Sequence, residues 1–185
     1  MNLKEWADKL QDYFIDKKEH FTMVIQEEDE VTYGVEEECN IDYCKQHNIS
    51  CSNRHDGGGT IVHAKGSIGI NYIYSHDKYG GFYSYDFIKL LAQYLEDKGL
   101  NVSVDKNDIL VDGYKVASCA ENNIPPDYRW CSTSVLISMT QNVDLINKVC
   151  LKTMLKEPKG LEEFGITANE IVEFINSWKG DNIYE

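Results

Sequence analysis

The stretch that most constrains the fold is DILVDGYKV, residues 108–116. Asp112-Gly113 between two short apolar runs is a strong two-residue hairpin signal, because both turn positions need positive φ and these residue types accept it. The hairpin pairs Val111 with Tyr114, Leu110 with Lys115 and Ile109 with Val116. Side chains alternate along a strand, so Ile109, Val111, Tyr114 and Val116 share an apolar face and Lys115 projects from the other. Such a hairpin belongs to an antiparallel sheet with one face covered.

The rest of the chain supplies the cover. Leu3, Trp6, Leu10, Tyr13 and Phe14 recur at helical spacing over residues 3–17. Residues 84–98 predict a second helix whose face carries Phe87, Leu90, Leu91, Tyr94 and Leu95, with Gly99 as its stop. A short helix follows Asn40 to about His47, and another spans 143–151. Thr167-Ala168-Asn169-Glu170 is a capping-box pattern opening a last helix through about Trp178. Strands are predicted at 21–25, 31–33, 60–65, 68–74, 102–104 and 134–139, with Gly66-Ser67 as the turn between 60–65 and 68–74. Hairpins outnumber parallel crossovers. The fold class is α+β, with a mixed, largely antiparallel sheet flanked by helices. The 185 residues fit a single domain spanning residues 1–185.

The formal charge of −13 argues against nonspecific binding to nucleic acid or to an anionic membrane, both of which want a basic face. No apolar run is long enough to span a bilayer, and MNLKEWADKL lacks the apolar core of a signal peptide. The predicted location is cytoplasmic, and six cysteines there are expected to be thiols. Cys39, Cys44, His47, Cys51 and His55 are all zinc-ligand types, but they lack the C-x-x-C spacing of a standard zinc module, so no metal site is assigned.

Residues 53–63, NRHDGGGTIVH, place three glycines directly before a strand. A glycine run there is a loop tip, a point where two backbones pack closely, or a place where backbone N–H groups approach an anionic ligand that a side chain would block. It is neither a G-x-x-x-x-G-K phosphate loop nor a dinucleotide-binding turn. Arg54 before the glycines and Lys115 on the hairpin would suit an anion; a surface ion pair and a solvent-facing lysine are the plainer alternatives.

These stretches resemble a known family. RHDGGGTIVHAKGSIGINY is similar to the R-R-x-S-G-G-G-T-V-x-H-x-x-G-x-x-N-x-S region of lipoate–protein ligases, octanoyltransferases and their biotin-ligase relatives. NDILVDGYKVASCA resembles their N-D-(I/L)-x-x-(D/N)-G-K-K-(I/V)-(S/A)-G-(S/N)-A segment. ECNIDYCKQHNI and the stretch from Val143 to Ile171 resemble the flanking parts. The resemblance implies a class II biotin/lipoate ligase-like catalytic domain, without the accessory domain of the larger ligases. It implies that Lys115 is catalytic, contacting acyl carbonyl and phosphate oxygens, and that Arg54, Asp56, Gly57, Gly58, Gly59, His63, Asn71 and Ser118 line the substrate. The implied reaction joins lipoate or another carboxylic acid to ATP, with Mg2+, and passes the acyl group from the adenylate to a lysine of an acceptor protein.

The sequence departs from the family pattern at four points. Asn53-Arg54 stands for the arginine pair, Asp56 for the serine before the glycines, and Ser118 for the glycine after the lysine. The usual His-Gly is replaced near Trp130-Cys131. Two alternatives therefore stay open: a cysteine-dependent octanoyl transferase using Cys150 as nucleophile, where a buried helix residue is the plainer reading of Cys150, and a family member that binds a ligand or protein without catalysis.

Overall fold

The computed structural model describes residues 20–34, 39–53, 59–75, 84–124, 128–138, 143–151 and 156–182. In chain order the elements are β1 (His20–Ile25), β2 (Glu30–Tyr33), α1 (Ile41–Gln46), β3 (Ser50–Asn53), β4 (Ile61–His63), β5 (Ile68–Ser75), α2 (Ser84–Asp97), β6 (Val102–Asp105), β7 (Asp108–Val111), β8 (Tyr114–Ile124), β9 (Tyr128–Val135), α3 (Val143–Val149), a 3-10 turn (Leu161–Phe164) and α4 (Ala168–Asn182). The predicted helix over 3–17 lies outside the described residues.

Six strands form one sheet in the order β1-β5-β9-β8-β7-β6, and every neighbouring pair is antiparallel. Its β7–β8 hairpin turns as the sequence predicts: Asp112 has φ 50° and Gly113 φ 85°, Val111 faces Tyr114 and Leu110 faces Lys115. The next pair differs. A bulge between Ile109 and Leu110 puts Ile109 opposite Ala117 rather than Val116. The extra residue lets Val116 and Ala117, neighbours in sequence, both pack into the main core, where strict alternation would send them to opposite faces. Asn107 fixes the shift. Its side-chain amide donates to the carbonyl of Cys119, whose N–H donates back to the Asn107 carbonyl at 2.9 Å.

Helices α2 and α4 close the main core. Phe87, Ile88, Leu91 and Leu95 of α2 and Ile171 and Ile175 of α4 are fully buried with Ile68, Ile70, Ile109, Val111 and Val135 of the sheet. Leu90, expected on the buried face of α2, is instead 42% exposed, and Ile88 takes its place. Gly99, at φ 87°, ends the helix. The predicted capping box forms at α4: the Thr167 N–H donates to Glu170 Oε2 at 2.9 Å, and the Glu170 N–H donates to Thr167 Oγ1 at 3.3 Å.

A second, three-stranded sheet has the order β3-β2-β4, with β2–β3 parallel and β2–β4 antiparallel. Two sequence expectations are corrected here. Ser50–Asn53, where the sequence reading predicts no element, is a strand. The strands flanking Gly66-Ser67 belong to different sheets, because this turn pairs with the end of β1: the Gly66 N–H donates to the Gln26 carbonyl and the Gln26 N–H to the Ser67 carbonyl. The strand predicted at 134–139 begins earlier and ends at Val135. Alternation past its end sends Val135 and Ile137 into the main core and Leu136 into a second one. That second core holds Val31, Cys44, Val62, Ala64, Leu145, Ile146 and Val149.

Candidate functional site

Lys115 sits where the hairpin geometry directs it, on the face away from the main core. Its side chain is 31% exposed and Nζ lies 2.9 Å from Asp108 Oδ1. The other oxygen of Asp108 lies 2.8 Å from Lys156 Nζ, which also reaches Asp105 Oδ2 at 2.8 Å. Burial alone would raise the Asp108 carboxyl, yet hydrogen bonds from Lys156, Lys115 and Ser118 together hold it below the usual carboxylate value. Burial works against the Lys156 ammonium, but Asp105 and Asp108 hold its pKa up. Ser118 faces Asp108 across the bulged ladder, so a hydroxyl stands where the family has glycine, and it bonds to the carboxylate.

The chain around Pro158 holds the lysine from its other side. The Lys115 N–H donates to the Glu157 carbonyl at 2.9 Å, and the Lys159 N–H donates to the Lys115 carbonyl at 3.0 Å. The Lys159 ammonium stands 4.4 Å from the centre of the Tyr114 ring. Sequence reasoning assigned no chemistry to residues 156–160 and did not single out Asp108. The signal for Asp108 was present in the Asn107-Asp108 pair of the motif. Lys156 had none, because its link to Asp108 spans 48 residues.

Two other predicted residues come from the small sheet and its approach. His63 lies on β4, an outer strand, and its Nε2 is 3.0 Å from Thr32 Oγ1. Gly59 is exposed, and a Cβ built on it meets nothing within 4 Å among the described residues. Arg54, Asp56, Gly57 and Gly58 lie outside the described residues. Asn53, which stands for the first arginine of the family pair, donates from Nδ2 to the Gly34 carbonyl at 3.2 Å.

Asn71 lies in the middle of β5. Ile68 and Ile70 enter the main core, and period two sends Asn71 to the opposite face, in register with Ser132. It is 1% exposed, and neither Oδ1 nor Nδ2 meets a hydrogen-bond partner among the described residues. A buried amide left so costs about 1–3 kcal/mol per group.

Cys150 follows α3. It forms an antiparallel bridge with Cys39, and its Sγ is 3.8 Å from the Thr60 carbonyl. Cys39, Cys44 and Cys51 are thiols whose sulfurs all lie within 4.8 Å of one another. Burial pushes the Cys44 and Cys51 thiols up to about 11 and raises that of Cys39. His47 does not join them: it caps α1, is exposed and stacks on Tyr43 at 4.2 Å between ring centres. His55 lies outside the described residues.

The same fold occurs in solved structures. A bi-partite lipoate protein ligase studied with its E2 lipoyl domain, from Thermoplasma acidophilum, superposes with a TM-score of 0.76 at 16% identity, over 95% of this chain and 77% of that one. A lipoate-protein ligase A bound with ATP gives 0.75 at 16% identity, over 97% and 80%. LipL1 of P. falciparum in complex with lipoate gives 0.72 at 15% identity, over 99% and 59%. No curated protein matches in sequence. The family model of the lipoyl protein ligase A/B catalytic domain, however, matches residues 4–165, which takes in both the glycine run and the Lys115 hairpin. The chain belongs to the lipoyl protein ligase A/B catalytic domain family.

Proposed function

We propose that this protein activates lipoate or a related small carboxylic acid with ATP and transfers the acyl group to a lysine of an acceptor protein. The observation that carries the reading is Lys115, a half-buried cation held by Asp108 on the hairpin of the family motif. The structural neighbours named above include lipoate-bound and ATP-bound ligases and one studied with its lipoyl domain.

In the first step a carboxylate oxygen attacks the α-phosphorus of ATP, the bond to the β-phosphate oxygen breaks, and pyrophosphate leaves. In the second the acceptor amine attacks the acyl carbon, loses its proton to solvent, and AMP leaves. Negative charge concentrates on the phosphate and carbonyl oxygens in both steps. Lys115 supplies a fixed positive charge there, and Asp108 and the Glu157–Lys159 backbone keep it in place. The family resemblance assigns a second cation to Arg54 and a place along the substrate to Asp56, and lets the backbone of Gly57, Gly58 and Gly59 lie against the acid and nucleotide. Among the described residues no atom lies within 4 Å of a Cβ built on Gly59 and no partner meets the Asn71 amide, which suits that role. His63 and Ser118 act by holding neighbours, through Thr32 and Asp108. Magnesium would enter with the nucleotide's phosphates, because the carboxylate beside Lys115 is already bonded to two lysines. Among the described residues no helix is long and apolar enough to cross a membrane.

ATP–pyrophosphate exchange across lipoate, octanoate, biotin and shorter acids tests the reading. Exchange with one acid, reduced about 10²- to 10³-fold in Lys115→Ala, is the expected result. That variant should fold, since Asp108 keeps Lys156 as a partner and no buried charge is stranded. Absence of exchange with every acid would overturn the ligase reading.

A further inference from the structure

Cys39 stands just before α1, Cys44 in its middle and Cys51 on β3, yet their three sulfurs converge. The Cys39 and Cys51 sulfurs are 3.7 Å apart. A disulfide would need about 2.05 Å. A Zn–S bond of about 2.3 Å sets tetrahedral thiolates about 3.8 Å from one another. One buried cysteine is an ordinary small apolar residue. Three sulfurs within 4.8 Å of one another, two of them at the spacing of a coordination shell, call for a different account.

A fourth sulfur is at hand. The Cys39–Cys150 bridge is secured by the Asn40 N–H donating to the Val149 carbonyl at 3.0 Å and by Asn40 Nδ2 donating to the Lys148 carbonyl at 3.1 Å. Facing residues of an antiparallel pair hold their Cβ atoms about 4.5–5.5 Å apart. The Cys150 sulfur lies 3.8 Å from the Thr60 carbonyl, outside the three-sulfur cluster, and would join it as a ligand on turning about χ1.

We propose that Cys39, Cys44, Cys51 and Cys150 form a tetrahedral thiolate site for Zn2+ or a similarly soft divalent cation, fastening α1, β3 and the end of α3 to one another. Binding releases the thiol protons to solvent and forms four metal–sulfur bonds, and no electrons are transferred. The site flanks the glycine run on both sides: β3 carries Cys51 and leads into residues 54–58, and Cys150 lies against Thr60, directly after Gly59. A bound metal would therefore fix both ends of that run, and Cys150 would be a ligand rather than a nucleophile.

Elemental analysis of protein grown with Zn2+ and purified under reducing, chelator-free conditions, followed by exchange with Co2+, tests the site. About one zinc per chain and, with Co2+, an intense sulfur-to-metal charge-transfer band with tetrahedral d–d bands are expected. Cys51→Ser should lose bound metal on gel filtration, while Cys119→Ala, altered in the main core, should keep it. Cys150→Ser should retain Co2+ with a weaker charge-transfer band; an unchanged spectrum would remove Cys150 from the ligand set. Zinc far below one per chain with no charge-transfer band in the unaltered protein would overturn the proposal. So would a Cys39–Cys51 disulfide that persists when metal is supplied.

Discussion

The two cores are built by different means. The main core is covered by two long helices whose branched and aromatic side chains meet a sheet of six strands. The second core lies under a sheet of three short strands and two short helices, and sulfur contributes to it: Cys44 is fully buried, and the partly buried Cys39, Cys51 and Cys150 pack against the cluster. The large sheet carries the Lys115 network, where a cation must stay in place. The small sheet carries the approach to the glycine run, where the proposed function has backbone meet ligand. A rigid scaffold bearing the charge and a lighter element bearing the contact loop is a common division in binding proteins.

Matched truncations in the two cores would test that contrast most directly. Leu91 of α2 is fully buried in the main core, and Leu145 of α3 is 7% exposed in the second. Leu→Ala in a core costs about 2–5 kcal/mol, more where the surroundings cannot relax. Leu91→Ala should fall near the top of that range and Leu145→Ala near the bottom, read from denaturant midpoints at unchanged m-value. Equal losses would mean that the second core is packed as firmly as the first.

The same division explains what could be read from the chain. The hairpin turn, the Gly99 stop and the Thr167–Glu170 box are set by residues within a few positions of each other, and all three form. β3 was missed because Ser50-Cys51-Ser52-Asn53 shows no alternation of apolar and polar residues; its pairing with β2 is parallel and non-local. The Gly66-Ser67 reversal is real, but a turn cannot say which sheet its strands will join. At the site, Lys115 and Ser118 were legible from the motif, and so is the Asn107-Asp108 pair beside them. The Lys156 arm was not, because only the folded chain brings a loop after α3 back onto the hairpin.

Asp108 joins that arm to the lysine, and neutralising it gives the next largest effect. Asp108→Asn keeps the shape but removes the charge that both Lys115 and Lys156 bond to. Hydrogen bonds to charged groups are worth about 1.5–3 kcal/mol, so exchange activity should fall by about 10- to 100-fold while Leu91-level stability losses are not seen. A fall confined to KM for the acid would place Asp108 in substrate binding alone. A fall in kcat as well would indicate that it orients Lys115 for the chemical step.

The smallest effect is expected at the outer surface of the main core. Glu170 is held down to about 2 by Lys98, 2.7 Å away, and by the backbone and hydroxyl of Thr167. An acid whose folded pKa lies below its unfolded value stabilises the fold fully above the unfolded pKa, near 4.5, and loses that contribution as pH falls toward 2. The melting temperature should therefore drop between about pH 4.5 and 2, and the drop should be shallower in Glu170→Gln, measured side by side at low salt. Both groups reach solvent, so the difference between the two curves should be small and should shrink further as salt is added. Curves that run parallel would show that the cap holds α4 by geometry rather than by charge. Among the described residues the acid sensitivity would then fall to Asp108, whose carboxyl is also held below its usual value, and Asp108→Asn would be the variant that flattens the profile.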